Sequence, residues 1–114
     1  DYIVERGARH GLSYEDVLEM IPSILHDDLV ECAEFLELRH ISHILPQSTH
    51  PELANDPTNM ILENPEANLS RGPDPMSETE EMIAMIDNEV LATQIDSDVV
   101  IDIIPDFIPV FGLV

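Results

Sequence analysis

The sequence predicts an α+β fold, a mostly helical small domain with a β-hairpin and loop segment set between helices. Three observations lead to it. Helix-start signals stand at Ser13, Asp28 and Ser77. Between Arg39 and Gly72 the apolar residues come in short pieces separated by Pro, Asn, Ser and Asp. Apolar residues make up 44% of the chain, enough for a packed core in spite of the charge. With 114 residues there is room for one modest core, so residues 1–114 are expected to form a single domain. Its parts are a helical segment over 1–38, a hairpin-bearing core over 39–76, a helix over 77–95 and an apolar, proline-interrupted interface segment over 96–114.

The first forty residues read as a pair of short helices. One begins after Gly11 with Ser13 as N-cap; Glu15 and Asp16 lie in its first turn, where negative charge suits the helix dipole, and Pro22 ends it. The second begins at Asp28 with Glu31 three residues on, as in a capping box, and Leu29, Cys32, Ala33 and Leu36 define its apolar face. Cys32 is therefore expected to be a buried small hydrophobe rather than a nucleophile. After the Gly72–Met76 breaker, Ser77 and Glu80 form another capping box, opening a helix through about Ala92. Ile83, Ile86 and Val90 give that helix its apolar face, with Met82 and Met85 as core or interface filler.

Charge constrains function. Twenty-four Asp and Glu stand against four Arg and no Lys, a net charge of −20. Nucleic-acid binders draw most of their non-specific affinity from a basic stripe, and none is visible. An acidic surface suits solubility at high salt or docking onto a basic partner. A single cysteine excludes an intrachain disulfide and a cysteine-built zinc site. The N-terminal residues show no signal-peptide pattern, so a reducing cytoplasm or a virion is the expected setting, and both ends look cut, as in a processed piece or the ordered part of something longer. No run is long enough for a transmembrane helix.

The chemistry-bearing residues cluster in the middle. His43-Ile44-Leu45-Pro46 is followed by Asp56-Pro57-Thr58-Asn59-Met60-Ile61-Leu62 and then by Asn68-Leu69-Ser70-Arg71-Gly72. In that order and spacing they resemble the ββα-metal core of HNH-type endonucleases over residues 39–72. The resemblance implies a hairpin whose first strand ends at His43, a second strand opened by the Asp-Pro-Thr-Asn stretch, and a helix begun at Asn68. It further implies His43 as general base and metal neighbour, Asn59 as the residue holding the loop and orienting the imidazole, Asn68 as metal ligand and Arg71 as phosphate contact. A divalent cation, Mg²⁺ or Mn²⁺, would then assist hydrolysis of a phosphodiester in nucleic acid. Two features depart from the pattern. Ser42 stands where the family places an Asp or another ligand, with His40 and His50 as possible substitutes, and only Arg39 and Arg71 are basic nearby. A separate zinc site of His40, His43 and His50 fits no common spacing. His10 and His26 read as surface or capping residues.

The stretch from Ser97 to Gly112, with Ile104-Pro105-Asp106-Phe107-Ile108-Pro109 at its centre, resembles the short signature of the YkvA-like family. That implies peripheral membrane contact, whereas the residues themselves read as a protein interface over 99–114. Two functions follow. One is an HNH-like, metal-dependent nucleic-acid phosphodiesterase, active or degenerate. The other is a non-catalytic structural or assembly component that binds partners through its acidic surface and apolar C-terminus.

Overall fold

The computed structural model describes residues 1–96, which build an α+β arrangement of five helices and a two-stranded antiparallel sheet. The predicted interface segment and YkvA-like signature lie outside the described residues. Helices α1 (Tyr2–Ala8), α2 (Tyr14–Met20) and α3 (Leu29–Glu37) come first, strands β1 (His40–His43) and β2 (Met60–Glu63) follow, and α4 (Pro65–Arg71) and α5 (Glu78–Asp96) close the order.

The predicted caps are in place. Ser13 and Asp16 satisfy each other's backbone N–H groups at α2, and Ile21 leaves the helix extended, as the residue before Pro22 must. Asp28 accepts from the N–H groups of Val30 and Glu31. The Ser77–Glu80 box opens α5, which runs one turn past Ala92. Helix α1 was not expected; Asp1 caps it, and Ile3 and Gly7 face inward. Gly7 allows the α1–α2 contact, because a Cβ there would stand 2.7 Å from Val17 Cγ2.

The core joins Ile3, Val17, Ile21, Leu25, Cys32, Phe35, Leu36, Ile41, Leu62 and Ala92. Burial of each of its large side chains stabilises the fold by about 2 kcal/mol. Cys32 is fully buried as expected, and burial pushes its thiol pKa up. Two predicted faces are corrected. In α3 Leu29 is exposed and Phe35 takes its place inside. In α5 the predicted stripe of Ile83, Ile86 and Val90 points outward, and Ala84, Asn88, Ala92 and Ile95 are buried instead. The reason is distance: alanines let α5 approach β2 closely enough for Asn88 Nδ2 to donate to the Leu62 carbonyl at 2.7 Å. Bulkier isoleucines would hold the helix away.

The sheet register pairs His40 with Glu63, Ile41 with Leu62, Ser42 with Ile61 and His43 with Met60. Ile41 and Leu62 belong to the core, while His40, Ser42 and Glu63 meet α4. None of the helices among the described residues is long and apolar enough to cross a membrane.

Candidate functional site

His43 closes β1, and Asn59 stands immediately before β2, so the hairpin connection loops out between them. Asn59 is buried and clamps that loop. Its Oδ1 accepts from Leu45 N–H at 2.9 Å, and its Nδ2 donates to Leu45 O at 3.0 Å and Leu53 O at 3.4 Å. Upstream, Asp56 accepts from the N–H and hydroxyl of Thr58. Those bonds hold its carboxyl below the usual range. The fixed loop presents the Ala54 carbonyl 2.8 Å from His43 Nε2. That contact assigns the proton to Nε2 and leaves Nδ1 as the basic nitrogen.

Asn68 lies inside α4 rather than at its start, three residues before the Arg71 terminus. The helix instead begins at Pro65 behind an Asn64 cap and ends at Gly72, whose φ of +60° needs a glycine. From this mid-helix position Asn68 ties α4 to β1: its Oδ1 accepts from Ser42 Oγ at 2.9 Å, and its Nδ2 meets His40 Nδ1 at 3.0 Å. Arg71 is engaged by Glu63 through both terminal nitrogens and by Glu80 at 3.4 Å. The Glu63 carboxylate raises the guanidinium pKa further above its ordinary value.

His43, Asn68 and Arg71 share one polar pocket of about 240 Å³, which Asp74 also lines. The segment after α4 is tied to the end of β1 by Met76 N–H, which donates to Ile44 O at 2.9 Å. Three of the four residues singled out in the sequence therefore meet, and Asn59 acts one layer behind through the loop. Compared with family models, curated proteins and solved structures, the chain matches none.

The side chains fit a divalent cation poorly. Mg²⁺ and Mn²⁺ favour anionic oxygens, but the predicted ligands are an amide and an imidazole, Asn68 bonded to Ser42 and His40 and His43 bonded to the Ala54 carbonyl. Among the described residues no three His, Cys, Asp or Glu side chains converge on one point, and that includes the trio of His40, His43 and His50.

One group escaped the sequence reading. His10 is half-buried, its ring centroid 6.0 Å from that of His43. Burial lowers its pKa most, followed by the charges of His43, Arg6 and Arg9. The spacing Arg6-x-x-Arg9-His10 was the available signal, in a chain with only four arginines. It was silent without α1. His26 is a capping residue as expected, with Nε2 2.7 Å from the Ile21 carbonyl.

Proposed function

We propose that this chain is a non-catalytic docking module: an HNH-like hairpin-helix frame that positions α5 to receive a basic amphipathic helix of another protein. The observation that carries this reading is the outward face of α5. Met82, Ile83, Met85, Ile86 and Val90 are each 51 to 62% exposed, a run of large apolar side chains on one helix. Glu78 and Glu89 lie along the same face, in a chain of net charge −20. Charge complementarity therefore selects a basic partner, and methionines adapt to its side chains.

The hydrogen bonds of Asn68 to Ser42 and His40 support the non-catalytic half of the proposal, because they use internally the amide that the HNH resemblance assigns to metal together with His43. Arg71, held by two carboxylates, has little charge left for a phosphate.

A labelled peptide of leucine and lysine in helical repeat tests the docking face. Saturable binding with NMR shifts on α5, lost in Met85→Glu/Ile86→Glu, is the expected result. Absence of binding refutes it. So does coverage of this face by a second copy or by residues 97–114, detected by sedimentation and by nuclear Overhauser contacts respectively.

One observation favours the phosphodiesterase reading: His43 is oriented by the Ala54 carbonyl as a general base needs to be. Plasmid nicking with Mg²⁺ or Mn²⁺ that disappears in His43→Ala would establish that reading in place of the first.

A further inference from the structure

Positive charge in this chain is scarce and concentrated. Of its four arginines, Arg6, Arg9 and Arg39 line a single polar cleft of about 440 Å³, together with His10, His40 and Tyr2. That volume is in the range of small-molecule sites. We infer that this cleft, between α1, the α3–β1 corner and α4, binds a small phosphate monoester.

The hydrogen bonds show why. Arg6 Nη1 donates to Tyr2 Oη at 2.6 Å and to Leu36 O at 2.9 Å, and its Nη2 donates to Arg39 O at 2.9 Å. These bonds fix the guanidinium before any ligand arrives, and they leave part of its five-donor set unspent. Tyr2 Oη accepts from Arg6, so its own O–H is free to donate. His40 Nδ1 faces the Asn68 amide nitrogen, so its ring proton sits on Nε2 as a further donor. The Arg9 side chain is exposed and has no hydrogen-bond or ion-pair partner among the described residues. Two groups oppose: Arg39 is paired with Asp87, and the exposed Glu37 stands on the lining. Arg6 and Arg9 still outweigh that one carboxylate. Burial and His43 lower the pKa of His10 most, and the charges of Arg6 and Arg9 beside it act in the same direction.

Ligand size follows from the rest of the surface. A polyanion laid over this cleft would run onto the acidic surface, whereas a compact dianion remains within the roughly 8 Å over which charges act at physiological salt. A guanidinium fork matches phosphate oxygens in pairs. The Tyr2 ring offers apolar contact to the rest of the molecule.

The test is an NMR titration of the isotope-labelled full chain with inorganic phosphate and, separately, with a nucleoside monophosphate. Saturable shifts at Arg6, Arg9, His10 and His40 are expected, tighter for the nucleotide. Because Arg9 is exposed, Arg9→Glu leaves the fold intact and weakens binding by about tenfold or more, the loss of a charge-assisted contact replaced by repulsion. Arg9→Lys retains most of it. The inference is overturned by an absence of saturation in the millimolar range, by shifts confined elsewhere, by unchanged affinity in Arg9→Glu, or by preference for an oligonucleotide over the monophosphate.

Discussion

Arg71 offers the sharpest test of whether its charge belongs to the frame. Its side chain is 5% exposed and that of Glu63 is 3%, so both charges have left water and each depends on the other. Glu80, at 42% exposure, is only a partial substitute. Arg71→Met strands the Glu63 carboxylate at the end of β2, and breaking a buried pair from one side costs about 3–5 kcal/mol. Against a total stability of about 5–15 kcal/mol, that is a large fraction. Glu63→Leu strands the guanidinium and should cost a similar amount. The double variant removes both charges and should lose much less than the sum, giving a coupling of about 2 kcal/mol or more. Equilibrium urea unfolding by circular dichroism measures all four proteins. If Arg71→Met costs under about 1 kcal/mol and the cycle shows no coupling, the pair is not holding α4 to β2, and Arg71 is free to serve a ligand.

Four further outcomes follow from the same geometry. Asn59→Ala leaves the Leu45 N–H and carbonyl without their partner, costing about 1–3 kcal/mol in unfolding experiments and increasing hydrogen exchange across residues 44–59. Gly7→Ala, although it improves helix propensity, should destabilise by about 1–3 kcal/mol because its methyl meets Val17. On α5, Ile86→Ser should change stability by no more than about 0.5 kcal/mol, whereas Ala92→Leu, on the buried side, should cost about 1–3 kcal/mol or more; thermal melts separate them. The fourth concerns pH. His10 has a folded pKa below its ordinary 6.5, so the unfolded chain binds the proton more readily. Its contribution is fully present above that value and falls away as pH drops toward the lowered folded pKa. His10→Gln should flatten this part of the stability–pH curve, and an unchanged slope would contradict the assignment.

The legible features were those whose physics is local. A cap needs only a Ser or Asp and the next few residues, so the starts of α2, α3 and α5 followed from sequence alone. Pro and Asn impose turns by their own stereochemistry, so a hairpin-and-loop segment between Arg39 and Gly72 was legible, while the end of β1 at His43 and the start of β2 after Asn59 came from the HNH resemblance. What periodicity could not decide was which side of α5 faces inward. It presents one stripe of Ile, Met and Val and another of Ala84, Asn88 and Ala92, and hydrophobicity favours the first. Close approach to β2 selects the second, which is a property of the neighbouring sheet. The same holds for the roles of Asn68 and Arg71. Their side-chain chemistry suits a cation ligand or a phosphate contact, and the sequence determined that chemistry. Only the tertiary structure decided what they touch: with Ser42 and Glu63 brought alongside by the hairpin register, each finds an internal partner within hydrogen-bonding reach.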